Sequence, residues 1–141
     1  MKKNKIIIIA EVGVNHNGNI KVAKKLIDIA KRSGADYVKF QTFKTENLVR
    51  KNTKITQYQS KNLRKKMTQF NLLKKLELSE NTHNKIIQHC NRKKISFMSS
   101  PFDLESLNLL FRLKIFDIKV ASGEINNYIF LKNLAKKAKK I

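Results

Sequence analysis

Short apolar runs alternate along the chain with longer segments in which apolar residues recur every three or four positions. The runs have the length of buried β-strands, and the longer segments have the spacing of amphipathic helices. We therefore predict strands at Ile6–Glu11, at Asp36–Gln41, from Ile95 to Ser99 or Ser100, and at Phe116–Ala121. The isoleucine run of the first strand is typical of a strand buried on both faces. Strands that alternate with helices favour a parallel sheet, so the predicted fold class is α/β with about four βα units.

Four helices are predicted between and after these strands. Their bounds are Asn19–Ser33, Ser79–Asn91, Asp103–Leu113 and a last helix that starts at Asn127. Gly34 is expected to cap the first helix in a left-handed conformation, and Ser79 and Asp103 are expected to be N-cap residues. No linker or low-complexity tract divides the chain, so we expect one domain.

A long connection, Thr42–Leu78, separates the second and third predicted strands. Connections of this length usually contain structure of their own or serve a function. Its apolar residues recur at helical spacing and indicate a basic amphipathic helix. These residues are Leu63, Met67, Phe70 and Leu72 or Leu73.

The charge of the chain leaves a second class of function open. There are 31 basic and 10 acidic residues, which gives a net charge of +21. Such an excess suits a nucleic-acid or anionic-surface binding module. Lysine predominates over arginine, and no aromatic residues are interleaved with the basic runs to stack on bases, so we rank this alternative second. A positive field also favours an anionic small-molecule substrate.

The remaining composition points to a folded cytoplasmic protein that does not enter membranes. The longest apolar run, Ile6–Ala10, is too short to span a bilayer, and it meets Glu11 too early to be an export signal. The single cysteine, Cys90, cannot form a disulfide framework and is predicted to lie in the core. His83 and His89 are predicted to be structural residues on a surface helix.

Polar residues follow the carboxyl end of every predicted strand, which is where α/β proteins and (β/α)8 barrels carry their sites. They are Glu11 at the end of the first strand, Lys39 and Gln41 on the second, Ser99 and Ser100 on the third, and Lys119, Ser122 and Glu124 on or after the fourth. A lysine inside a strand is costly to bury unless it meets an anion, so Lys39 and Lys119 together suggest a phosphate or carboxylate ligand. The serines can add hydroxyl donors, and the glutamates can bind sugar hydroxyls or move protons.

Each of these residues also has a purely structural interpretation. Strand-end lysines can extend into solvent, and Ser99-Ser100 can be turn residues before Pro101. The glutamates can cap a following helix. His16, in the loop that follows the first strand, can face the site or hold its own turn. No histidine, cysteine and carboxylate spacing in the chain indicates a metal site.

Four segments of the chain together resemble the N-acetylneuraminate (sialic acid) synthase family, which includes the legionaminic acid synthases. The segments are IAEVGVNHNG at Ile9–Gly18, KFQTFK at Lys39–Lys44, FMSSPFD at Phe97–Asp103 and KVASGEINN at Lys119–Asn127. Their order and spacing match those of the family, and the match begins near Lys5 and continues to the last residue. Pseudaminic acid synthases are expected to carry leucine where this chain has Phe40.

The resemblance implies a partial TIM (β/α)8 barrel. Residues 1–141 would be its N-terminal half, and the C-terminal half-barrel and an antifreeze-like domain would lie outside the sequence. It also implies condensation of phosphoenolpyruvate with an N-acetylmannosamine-type sugar to give a nonulosonic acid and phosphate. The complete enzymes are homodimers that use Mn2+ or Mg2+ to polarise the sugar aldehyde. Because the metal-binding histidines of the family lie on later strands, we expect the fragment to hold no metal and to be inactive alone; a decayed pseudoenzyme is a third possibility.

Roles follow from the resemblance residue by residue. Lys39, Lys119 and Ser122 would bind phosphoenolpyruvate with help from Ser100, which stands where the family often has threonine. Gln41, Glu124 and Glu11 would face the sugar, and Glu11, Lys39 and Glu124 are the candidate catalytic residues.

Overall fold

The computed structural model describes residues 6–53 and 68–141. Strands and helices alternate along the described chain as the apolar pattern predicts. In chain order they are β1 (Ile9–Gly13), α1 (Ile20–Arg32), β2 (Tyr37–Thr42), α2 (Thr45–Leu48), α3 (Gln69–Leu76), α4 (Glu80–Lys93), β3 (Ser96–Pro101), α5 (Leu104–Arg112), a 3-10 turn (Ser122–Glu124) and α6 (Tyr128–Ala135).

The three strands form a parallel sheet in the order β1-β2-β3. In the register of β2 with β3, Lys39 lies beside Met98 and Gln41 lies beside Ser100. Glu11 of β1 lies beside Lys39, and a bulge between Glu11 and Gly13 then shifts the register. Paired residues of parallel strands share a face, so these polar side chains lie on one face of the sheet.

The opposite face of the sheet carries the core. Val38, Phe40 and Phe97 of this face are buried with apolar residues of α1, α4 and α5. Ile27 and Ile86 are fully buried in the same cluster because the helix spacing turns them toward the sheet. The core therefore lies between the sheet and the helices and leaves the polar face outside it.

The predicted helix starts and the conformation of Gly34 are confirmed. Asn19, Ser79, Asp103 and Asn127 are N-caps whose side chains accept hydrogen bonds from backbone N–H groups of the first turn. Gly34 has a φ of +83°, the left-handed conformation predicted for it. The helix predicted in the long connection is confirmed in part as α3, which begins after Thr68; Leu63 and Met67 lie outside the described residues.

Two expectations about the strands are wrong. The segment Phe116–Ala121 is not a full strand, since it joins β3 through a single parallel bridge between Ser99 and Ile118. The isoleucines of the first run are exposed because, among the described residues, β1 pairs only with β2. The structure thus has a three-stranded parallel sheet and a fourth segment alongside it, rather than four complete βα units.

The last residues also run parallel to this fourth segment. Asp117 and Lys140 form a parallel bridge, and Ile118 donates its backbone N–H to the Lys140 carbonyl at 3.0 Å. Tyr37 donates its hydroxyl to Asp117 at 2.8 Å and accepts from Lys140 Nζ at 3.0 Å, which ties the amino end of β2 to both segments. No helix within the described ranges is long and apolar enough to cross a bilayer.

Candidate active site

The polar face of the sheet brings Glu11, Lys39 and Gln41 together. Lys39 and Glu11 form an ion pair, and the lysine side chain is only 12% exposed whereas the glutamate is 52% exposed. Lys39 therefore does not extend freely into solvent, and Glu11 does not serve as a helix cap, because Asn19 caps the helix that follows. The pairing keeps a half-buried ammonium group at the carboxyl end of β2.

Gly13 allows this close approach. It has a φ of +54°, and a Cβ atom there would lie 3.0 Å from Glu11 Oε1 and 3.6 Å from Gln41 Nε2. The bulge at Gly13 thus leaves room for the carboxylate and the amide to lie near each other above the strand ends. Sequence reasoning did not select Gly13, although a glycine that ends a strand is a known signal of a bulge or close approach.

Ser100 carries a buried hydroxyl group that the described residues leave without a hydrogen-bond partner. The residue is 1% exposed and sits inside β3 beside Gln41, so it is a strand residue and not part of a turn before Pro101. Buried polar groups are nearly always paired, and one that is not requires an explanation. A ligand oxygen on the polar face would supply the missing partner.

Lys119 lies next to Ser100 on the adjoining segment. Its backbone N–H donates to the Ser99 carbonyl at 3.1 Å, and the bridge between Ser99 and Ile118 puts Lys119 on the same face as Ser100. The side chain is half-buried, and among residues 6–53 and 68–141 no carboxylate forms an ion pair with it. A partly buried cation without an acidic partner is suited to bind an anion.

Ser122 and Glu124 lie in the 3-10 turn that follows the fourth segment. Ser122 is exposed, and Glu124 accepts a hydrogen bond from the Asn127 side-chain amide at 2.8 Å. In the described part of the chain no hydrogen bond or ion pair joins either residue to Lys39, and their roles remain predictions. The structure therefore brings five of the candidates to one face, and these two lie in the turn that follows. The five are Glu11, Lys39, Gln41, Ser100 and Lys119.

His16 holds its own turn rather than facing the polar side of the sheet. Its Nδ1 accepts the Gly18 backbone N–H at 3.0 Å, and the ring is buried and stacks on Phe40 of the core face. Burial, with a smaller contribution from the nearby His83, lowers the pKa of His16. The neutral ring therefore carries its proton on Nε2, and this nitrogen has no hydrogen-bond partner among the described residues.

His83 is a structural residue as predicted, and α4 turns it fully into the interior. Its Nε2 lies 2.9 Å from Thr42 Oγ1, which in turn lies 2.7 Å from Ser99 Oγ. Ser99 also donates to the Phe40 carbonyl at 3.1 Å. Sequence reasoning missed this network. The feature that could have revealed it is the position of His83, three residues before Ile86 on the buried face of the helix.

His89 and Cys90 lie near the end of the same helix. His89 Nε2 lies 2.9 Å from Asp28 Oδ1 of α1, and this hydrogen bond, with one from Lys93, lowers the pKa of Asp28. Cys90 is fully buried in the core as predicted. Neither residue contacts the polar face of the sheet, and both serve to join α4 to its neighbours.

The described residues do not form a metal site. Within the two described ranges, no group of three or more histidine, cysteine, aspartate or glutamate side chains is placed to hold an ion. The ligand set that a divalent metal prefers, several carboxylates or imidazoles around one point, is therefore not found there.

The sequence profile of the NeuB family matches residues 26–141, most of the chain. The chain belongs to the NeuB family. Two N,N'-diacetyllegionaminic acid synthases are among the curated NeuB relatives. The one from Campylobacter jejuni is 48% identical over 137 residues, which cover 97% of this chain and 41% of the relative. The one from Legionella pneumophila is 47% identical over 130 residues, which cover 92% of this chain and 36% of the relative.

A solved NeuB-type structure has the same fold. The N-acetylneuraminic acid (sialic acid) synthetase from Leptospira borgpetersenii, crystallised in complex with citrate, aligns with a TM-score of 0.77 at 28% identity. The alignment covers 95% of this chain and 42% of that protein. This NeuB chain thus spans about two fifths of the length of the relatives it matches. Its motifs resemble those of their N-terminal part.

Proposed function

We propose that this chain supplies the N-terminal part of the active site of a nonulosonic acid synthase, built on a (β/α)8 barrel. The reaction joins phosphoenolpyruvate to an N-acetylmannosamine-type sugar. The methylene carbon of phosphoenolpyruvate bonds to the sugar aldehyde carbon, whose oxygen takes up a proton. Water supplies the oxygen of the new keto group, and phosphate leaves by C–O cleavage. The products are a sialic- or legionaminic-type acid and inorganic phosphate.

The observation that carries this proposal is the unpartnered Ser100 hydroxyl beside Lys119. A buried donor and a half-buried cation without an acidic partner in the described structure are the groups that an anionic substrate needs. Their neighbour Lys39 adds a second positive charge. The complex of the Leptospira relative with citrate, a carboxylate anion, supports an anion-binding role for proteins of this type.

The ion pair of Glu11 with Lys39 suggests how charge changes on binding. In the free chain Glu11 neutralises Lys39, and an incoming phosphate or carboxylate can take the lysine as its partner. The released carboxylate then lies near the Gln41 amide, where it can accept a sugar hydroxyl or a proton. Ser122 and Glu124 would approach from the rim, Ser122 toward phosphoenolpyruvate and Glu124 toward the sugar.

Calorimetric titration of the 141-residue chain with phosphoenolpyruvate tests the proposal. We expect Lys119→Met to weaken binding about tenfold or more, since a charged hydrogen bond to the ligand is lost. Lys85→Met is the matched control because Lys85 is exposed on α4. Equal weakening by the two substitutions, or no binding by the unaltered chain, would contradict the assignment.

Titration with nucleic acid at increasing salt tests the basic-module alternative. Nucleic-acid binding through the +21 charge should weaken steeply as salt rises and should respond equally to Lys85→Met and Lys119→Met.

We expect no synthase turnover from the chain alone when Mn2+, phosphoenolpyruvate and the sugar are supplied, because the chain spans 41% of the Campylobacter synthase. Homodimer formation by a complete enzyme and a cytoplasmic location remain predictions.

A further inference from the structure

The hydroxyl and imidazole network of Thr42, Ser99 and His83 lies on the core side of the sheet, directly behind the candidate site. Thr42 directly follows Gln41 on β2, and Ser99 directly precedes Ser100 on β3. Since alternate strand residues point to opposite faces, Thr42 and Ser99 point into the core where Gln41 and Ser100 point to the site. All three side chains of the network, those of Thr42, Ser99 and His83, are buried.

The direction of the hydrogen bonds can be deduced from their partners. His83 Nδ1 lies 3.0 Å from the Ser79 carbonyl oxygen, which can only accept, so Nδ1 carries the ring proton. Burial lowers the pKa of His83, which keeps the ring neutral and leaves Nε2 as an acceptor. Thr42 therefore donates to His83 Nε2, and the Ser99 hydroxyl donates in turn to Thr42 Oγ1 or to the Phe40 carbonyl.

The network joins three adjacent segments of the chain at one level of the sheet. Ser99 is bonded through its side chain to β2 and through its carbonyl to the Lys119 N–H of the fourth segment. Thr42 bonds through its side chain to α4 and through its carbonyl to the Phe102 N–H. Both strand ends are thus held from the core side, where no substrate can reach.

We propose that Thr42, Ser99 and His83 are positioning residues that fix the carboxyl ends of β2 and β3, and with them Gln41 and Ser100, in the geometry that binds the substrate. The proposal rests on the function proposed above for Gln41 and Ser100. The three residues touch no substrate. They act by satisfying one another's hydrogen bonds in the interior, where an unpaired group would move the strands apart or admit water.

Amide hydrogen exchange, followed by NMR, tests the positioning role directly. The N–H groups of Phe102 and Lys119 donate to the Thr42 and Ser99 carbonyls at the carboxyl ends of the strands, both at 3.1 Å. The N–H groups of Tyr37 and Ser96 make matching bonds of 3.1 and 3.0 Å at the amino ends. Any change at one end only can therefore be separated from a change in global stability.

Thr42→Val removes the hydroxyl at nearly constant volume. We expect exchange of the Phe102 and Lys119 amides to accelerate about tenfold relative to the two amino-end amides, because the His83 acceptor is left unpaired. Thr42→Ser keeps the hydroxyl and should restore protection. Cys90→Ala, which opens a small space elsewhere on α4, should change all four amides by one common factor.

Two further readouts separate this inference from the proposed function. Nitrogen-15 spectra of the His83 ring should show the proton on Nδ1, and a proton on Nε2 would overturn the assigned network. Thr42→Val should also weaken phosphoenolpyruvate binding more than Cys90→Ala does. If the unaltered chain binds no phosphoenolpyruvate, the proposed function fails, whereas uniform exchange in Thr42→Val would refute the positioning role whether or not the ligand binds.

Discussion

Gly18 should be one of the least replaceable positions in the chain. It follows the turn that His16 holds, and its φ is +71°. A Cβ atom there would lie 2.2 Å from the Lys75 carbonyl oxygen at the end of α3. That distance is far inside any van der Waals contact, and the obstacle is backbone rather than a flexible side chain, so the loop or α3 must move.

The size of the effect follows from two contributions. An alanine in a left-handed conformation costs about 1–2 kcal/mol, and forcing an extra methyl group into a filled space costs about 1–3 kcal/mol more. Gly18→Ala should therefore lower the free energy of unfolding by about 2–5 kcal/mol. Gly34 provides the matched control, because its φ is +83° but a Cβ atom there would meet nothing within 4 Å.

Urea denaturation of the two variants, followed by circular dichroism, measures the difference. Gly34→Ala should show only the conformational cost of about 1–2 kcal/mol, with an unchanged slope against denaturant. Gly18→Ala should lose about 1–3 kcal/mol beyond that value. Equal losses in the two variants would mean that the loop after β1 does not pack against α3 as described.

Three further predictions concern stability and reactivity. Burial lowers the pKa of His16 and His83, so the unfolded chain binds more protons than the folded chain below about pH 6.5. Urea titrations at about pH 5 and pH 8 should therefore show that the free energy of unfolding falls toward acid and is level above neutrality. His83→Gln should reduce this dependence of stability on pH, and an unchanged dependence would contradict its origin in the histidines. Burial raises the pKa of the Cys90 thiol to about 12, so a thiol-reactive disulfide reagent should label it only after denaturant is added, and rapid labelling of the folded chain would refute its burial. Asp103 caps α5 and accepts the Lys44 N–H at 2.9 Å, so Asp103→Ala should cost about 2–4 kcal/mol of unfolding free energy, whereas a loss near zero would show that these bonds are absent.

The elements that the apolar pattern predicts well are those whose signal is local. Isoleucine and valine runs, the Asn19 and Ser79 caps and the glycine at position 34 each determine a boundary within a few residues of themselves. The segment Phe116–Ala121 has the same local pattern but bridges β3 only at Ile118. Strand pairing depends on contacts between distant residues, which periodicity along the chain does not contain.

The candidate site also has features that the local sequence pattern predicts and features that depend on contacts between distant residues. Lys39 and Gln41 could be placed on one face from the twofold period of their strand, whereas Ser100 joins them only through the register of β2 with β3. The ion pair of Lys39 with Glu11 could not, because it needs the bulge at Gly13 and the register between two strands. His83 was predicted to be structural, but its hydrogen bond to Thr42 was not, although its spacing from Ile86 puts both on the buried side of α4.

Mapping phosphoenolpyruvate onto the chain by NMR titration tests the central claim most directly. We expect the largest shifts at the amides of Gln41, Ser100 and Lys119, and we expect them to disappear in Lys119→Met but to persist in Lys85→Met. Shifts scattered over the lysine-rich helices, or shifts that survive Lys119→Met, would show that the polar face of the sheet does not bind the anion.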